Sequence, residues 1–135
     1  MIAADSSVAI AAFASWHEFH ERALSVLDRQ PTLPMQAAIE TYSVLTRLPP
    51  PHRADPSVVN DFLQRNFGTA MIGLDPDRFA VILAEFAALG IVGGAAYDGL
   101  IAATARETGR AVVTFDQRAR QTYDRLGVTV EYALG

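Results

Sequence analysis

Apolar residues along this chain follow two rhythms. Short uninterrupted runs read as buried strands, and longer stretches with apolar positions every third or fourth residue read as one-sided helices. The first run, Ile2 to Ala4, predicts a strand, with Ser6 or Ser7 capping a helix through Phe13. Residues 17 to 29 place Phe19, Ala23, Val26 and Leu27 on one helical face, and Pro31 and Pro34 bracket a short extended piece. A helix from about Ala37 to Leu48 must stop at the three prolines 49 to 51. Asp55–Pro56 and Asp75–Pro76 each supply an aspartate cap followed by proline at the first helical position, with the strand-like TAMIGL between the two helices. The helix AYDGLIAATARETG, the strand AVVTF, the helix QRARQTYDRL and the strand VTVEY complete the chain. Strands alternating with helices predict an α/β fold, a central parallel sheet of four or five strands flanked by helices. No repeat or linker divides the chain, so a single domain over residues 1–135 is expected.

Composition narrows the chemistry. Half of the 135 residues are hydrophobic and 19% are charged, as in an ordinary globular domain. With no cysteine, disulfides and thiolate metal sites are excluded, and a cytoplasmic location is expected. All eleven basic residues are arginines, which excludes Schiff-base chemistry and the lysine of P-loop or receiver-type phosphate sites. Asp5 interrupts the apolar N-terminal stretch and argues against a signal peptide; four glycines and Asp98 argue against a membrane span at residues 86 to 105. The net charge of −4 disfavours indiscriminate nucleic-acid binding. Residues 106 to 135, with five arginines against four acids, are the better place for a polyanion contact.

Four carboxylates stand in otherwise uncharged surroundings. Asp5 is the only charge among the first sixteen residues, Glu40 the only one between residues 30 and 46, and Asp98 the only one between Glu85 and Arg106; Asp116 directly follows an apolar strand. Each has an ordinary explanation as a cap, or for Glu40 a partner of Arg47, but caps do not explain why all four fall on one edge of the predicted sheet. That edge, at the strand C-termini, is where α/β proteins bind ligands. Converging acids repel one another unless a cation intervenes, and an all-oxygen donor set suits Mg²⁺ or Mn²⁺ better than zinc.

With these residues in place, the chain resembles the PIN-domain ribonucleases, and among them the VapC-type toxins of bacterial toxin–antitoxin pairs. The resemblance spans essentially the whole length and rests on MIAADSS, AAIETYSVL and YDGLIAATARETGRAVVTFD. It implies a PIN-like three-layer sandwich and a metal-dependent endoribonuclease that leaves a 5′-phosphate and a 3′-hydroxyl on structured RNA, a transfer RNA or a ribosomal RNA loop. It assigns Asp5, Glu40, Asp98 and Asp116 to the acidic set, with Asp5, Asp98 and Asp116 as ligands of Mg²⁺ or Mn²⁺. Thr114 becomes a supporting hydroxyl, Ser6 a helper of Asp5, and Asp124 an alternative to Asp116. It further implies a homodimer and a small VapB-like antitoxin whose C-terminal segment blocks the acidic pocket.

The remaining candidates are weaker. Arg106, Arg110, Arg118 and Arg120 flank Asp98 and Asp116 in sequence and are candidates for RNA phosphate contacts. His17 and His20 lie on one helical face near Glu21 but lack a third metal ligand, and His52 is expected in a solvated loop. Trp16 and Phe19 are read as core or dimer contacts before base-stacking residues. A non-catalytic RNA- or partner-binding module on the same fold is the alternative reading.

Overall fold

The computed structural model describes residues 1–133. Its elements are β1 (Ile2–Ala4), α1 (Ser6–Phe13), α2 (His20–Leu27), β2 (Leu33–Pro34), α3 (Met35–Arg47), α4 (Pro56–Phe67), β3 (Met71–Ile72), α5 (Pro76–Leu89), α6 (Ala95–Glu107), β4 (Ala111–Thr114), α7 (Gln117–Arg125) and β5 (Val130–Tyr132). Strands β1, β4 and β5 form one parallel sheet in the order β1-β4-β5, and β2 pairs in parallel with β3. A parallel bridge between Ala3 and Thr32, the residue before β2, joins the two into one layer. The resulting order is β3-β2-β1-β4-β5. It matches the expected α/β sandwich with five strands.

Connections run outward in opposite directions from the middle of this layer. The chain steps from β1 to β2 to β3, crosses back to β4 and continues to β5. Helix α1 packs on α2 and α3, and α6 packs on α5 and α7. The C-terminal ends of β1 and β4 form the point where strand order reverses, which is the natural crevice of a doubly wound sheet.

Most of the sequence-predicted elements fall where their local signals place them. Asp55 and Asp75 each accept a backbone N–H of the following turn, and Pro56 and Pro76 open their helices. Helix α3 starts at Met35, two residues before the expected Ala37, because Pro34 at the N-cap is itself the turn from strand to helix. Neither Ser6 nor Ser7 caps α1; Asp5 does, through Ser7 N–H and Val8 N–H. Among the described residues no helix is long and apolar enough to cross a membrane.

The core lies between sheet and helices. Ala3, Ala4, Val112 and Val113 are fully buried in the central strands, and Val8, Leu33, Leu45, Val59 and Ile101 pack over them. Helix α5 ends on Gly90, whose φ of 68° is the left-handed conformation a side chain resists. Gly99 serves a different need. A Cβ there would lie 2.8 Å from Cζ of buried Phe86, so the missing side chain lets α6 seat closely against α5 and fixes where neighbouring Asp98 stands. Gly99→Val is expected to destabilise the fold by about 1–3 kcal/mol through overpacking, as read by urea denaturation.

Candidate active site at the switch point

The four isolated acids arise from four different elements, each near the N-terminus of a helix. Asp5 leaves β1 and caps α1, and Asp116 follows β4 and caps α7. Asp98 lies in the first turn of α6, and Glu40 in the second turn of α3. Helix N-termini carry partial positive charge, so all four helices favour anions at this edge.

Asp5 is the most constrained group. Its side chain is 2% exposed. Oδ1 accepts from Ser7 N–H at 3.0 Å, Val8 N–H at 3.4 Å and the Ser7 hydroxyl, while Oδ2 accepts from the Tyr123 hydroxyl at 2.8 Å. Ser7 is a hub: its Oγ also accepts from Phe115 N–H at 2.9 Å and lies 3.4 Å from Thr114 Oγ1. Thr114 Oγ1 in turn accepts Asp116 N–H at 2.9 Å. One hydroxyl-rich network thus joins the ends of β1 and β4.

Glu40 is held separately. Ser6 Oγ donates to its Oε2 at 3.0 Å and Gln36 Nε2 to its Oε1 at 2.9 Å. The expectation that Ser6 helps Asp5 is therefore corrected, because consecutive helical residues point about 100° apart and Ser7 is the one that faces the strand end. Arg47 does not neutralise Glu40 either; its guanidinium donates to Ser43 Oγ at 2.8 Å.

Electrostatics bring the four acids into one unit. Burial raises Asp98 to about 6, reinforced by the charges of Glu40, Asp116 and Asp5 and opposed by Arg118. Burial likewise raises Asp5, against the hydrogen bonds that stabilise its charge. Tyr123, 1% exposed, is pushed up by burial and then by the neighbouring Asp5 charge, so it stays a donor throughout the accessible pH range.

The arginines divide. Arg118 is exposed and near enough to lower Asp98. Arg120 is occupied by Asp124 at 4.0 Å and lies 5.9 Å from the Tyr132 ring centroid. Asp124 sits near the far end of α7, away from the other acids. Arg106 and Arg110 are not beside the site: α6 carries Arg106 roughly 12 Å from Asp98, and Arg110 precedes β4 at the opposite edge of the sheet. Arg106 binds both oxygens of Glu85 and the Leu126 carbonyl, and Arg110 donates to Thr108 O. Both line a cavity of about 420 Å³ at that far edge, which contains none of the four acids. His17 and His20 form no metal site: His17 Nδ1 lies 3.0 Å from Phe19 N, and His20 Nδ1 lies 2.8 Å from Ala11 O. His52, expected free in solvent, stacks on Trp16 with ring centroids 4.3 Å apart.

Tyr123 and Ser7 are the site residues that sequence reasoning missed. Tyr123 follows Ala119 and precedes Leu126 at helical spacing, a signal sufficient to bury it but not to name its partner.

The geometry generates two expectations. Tyr123→Phe leaves a buried carboxylate oxygen without its donor and should cost about 1–3 kcal/mol in chemical denaturation at neutral pH. For Asp98, the folded value of about 6 exceeds the ordinary 3.8, so folding takes up a proton between them. Its contribution is full below about pH 4 and is lost as pH rises through about 6. In metal-free protein, Asp98→Asn should therefore melt above the parent at neutral pH, with the gain vanishing near pH 4 in thermal scans.

The sequence and the fold have counterparts among known proteins. Residues 2–125 match the PIN domain family model. Ribonuclease VapC40 of Mycobacterium tuberculosis is 46% identical over 131 residues, covering 97% of this chain and 98% of that protein. Ribonuclease VapC27 of the same species is 36% identical over 135 residues, covering 98% of this chain and 96% of its own. The crystal structure of FitAcB from Neisseria gonorrhoeae shares the fold with a TM-score of 0.72 at 21% identity, covering 99% of both chains. FitAB bound to an IR36 DNA fragment gives 0.73 at 21% identity, over 100% of this chain and 96% of its own. A strand-order switch lined by four acids, with family and relatives matching nearly end to end, places this chain in the PIN-domain family as a VapC-type protein.

Proposed function

We propose that this chain is a metal-dependent endoribonuclease toxin that cleaves structured RNA, a transfer RNA or a ribosomal RNA loop. The observation that carries the reading is the convergence of Asp5, Glu40, Asp98 and Asp116 at the switch point, where burial first, and then the charges of the other three acids, raise Asp98 to about 6. Such a set is under-neutralised in the chain alone. Its oxygen-only chemistry fits Mg²⁺ or Mn²⁺, with Asp5, Asp98 and Asp116 as the groups that would hold the ion. No three described His, Asp or Glu side chains are gathered closely enough to hold an ion by themselves. Mg²⁺ keeps several waters and is commonly held by one or two carboxylates with a substrate phosphate completing its shell, so three carboxylates in contact are not required.

A bound ion supplies water activation and charge stabilisation for in-line attack on the phosphodiester. The chain's own residues then have distinct parts. Ser7, Val8 and Tyr123 fix both oxygens of Asp5, and Asp116 uses Oδ1 to cap α7, accepting Arg118 N–H at 2.9 Å. Glu40, held by Ser6 and Gln36, contributes charge from the α3 side. Arg118 is the arginine positioned to meet an RNA phosphate.

The reading includes a second copy of the chain and a small VapB-like antitoxin encoded with it. For the second copy, the support is a contiguous apolar face on α3, α5 and α6 that exposes Met35, Ile39, Phe79, Leu83 and Tyr97. Tyr97 adjoins Asp98, so this face borders the acidic edge.

The decisive experiment incubates the purified protein with total RNA in Mg²⁺, Mn²⁺ or chelator and sequences the new 5′ ends. Discrete 5′-phosphate ends that require the ion and disappear in Asp98→Asn and Asp116→Asn are expected. Cleavage that persists in both variants would assign the activity elsewhere. Phe79→Glu should convert a dimer to a monomer in light scattering.

A further inference from the structure

We propose that Trp16 and His52 form a stacking platform for an unpaired RNA base upstream or downstream of the cleaved phosphate, with Arg47 and Arg53 as its phosphate contacts. The inference rests on the ribonuclease reading and adds a substrate subsite to it. Trp16 is 49% exposed, and its ring lies 4.3 Å from His52 with an interplanar angle of 35°. Large aromatic surface left in water in this way is a platform for other planar groups.

The platform connects to the acidic edge. Trp16 lies 6.0 Å from His17, His17 5.6 Å from Phe19, and Phe19 5.4 Å from Phe115, the residue before Asp116. Phe115 is itself buried, so this row of rings braces the platform against the end of β4.

Both halves of the platform are held in place before any ligand arrives. His17 N–H donates to Ala14 O at 2.9 Å and His20 N–H to His17 O at 3.1 Å, which fixes the loop after α1. On the other side, His52 N–H donates to Pro49 O at 3.1 Å, and Arg53 Nε to Leu48 O at 2.9 Å. Pre-ordering lowers the entropic cost of binding.

The arginines on the His52 side suit a polyanion. Arg47 and Arg53 flank the loop that carries His52, and among the described residues neither forms an ion pair with a carboxylate. Asp55, two residues after Arg53, uses Oδ1 to cap α4, accepting from Ser57 N–H and the Ser57 hydroxyl. Apart from the prolines, the exposed residues close to Trp16 and His52 in sequence are Ser15, Glu18, Arg47, Arg53 and Asp55. Aromatic faces interleaved with arginines are how proteins hold single-stranded RNA.

Trp16 is the only tryptophan, so its fluorescence reports on this subsite alone. Full-length Asp98→Asn protein, chosen so that the strand is not cut, is titrated with a short unpaired oligoribonucleotide and with the matching duplex. Quenching of Trp16 by the unpaired strand is expected, stronger than by the duplex. Trp16→Ala and Arg53→Ala should each weaken binding about tenfold by anisotropy of labelled RNA, and Trp16→Phe should restore most of it. RNA binding with unchanged Trp16 emission, or emission that responds only to the antitoxin, overturns the platform. If the parent cleaves RNA and Trp16→Ala cleaves it with equal kcat/KM, the platform alone falls. If no RNA binds or is cut, the ribonuclease reading falls with it.

Discussion

A buried carboxylate at the junction of two central strands is the constraint on which the rest of this structure depends. Four donors reach Asp5 there and oppose the burial that raises it, and they come from the first turn of α1 and from α7, more than a hundred residues away. Satisfying it ties the first strand, the first helix and the last helix into one arrangement. The Ser7 hydroxyl extends the tie to Phe115 and Thr114 at the end of β4. The same contacts that fix Asp5 therefore also fasten the end of β1 to the end of β4.

The charges are sorted across the sheet. Acids gather at the C-terminal edge, where helix N-termini soften their repulsion without cancelling it. At the other edge arginines are consumed in structural pairs: Arg106 with Glu85, Arg78 with Glu107, and Arg29 with Glu131 at 2.7 Å, which fastens the end of α2 to β5. These clamps are partly exposed and individually weak. The stability invested in the apolar core permits the under-neutralised edge opposite.

Much of this was legible in the sequence because an acid inside an apolar run has few structural reasons to be there. Asp5, Glu40, Asp98 and Asp116 could be singled out on that basis, and the βα alternation put them on one edge. Other features depend on directions that a linear reading loses. Ser6 and Ser7 are neighbours, yet helical phase sends one to Glu40 and the other to Asp5. Arg106 and Arg110 are close to Asp98 and Asp116 in sequence, but α6 and β4 each carry the chain across the sheet in between. Tyr123 sits in QRARQTYDR, a stretch whose polarity hides a fully buried ring, and only tertiary packing says that its hydroxyl meets Asp5. His52 and Trp16 are separated by two helices and meet because α1 and α3 run side by side away from the acids.

The two strand-end aspartates carry a second consequence. Each uses one oxygen as the N-cap of the helix that follows, a duty asparagine performs as well. A codon change from aspartate to asparagine at Asp116 removes a negative charge while leaving the turn its acceptor. On the proposed reading of Asp116 as a site residue, a single codon change is thus a short mutational route to a folded chain whose acidic edge has lost a charge.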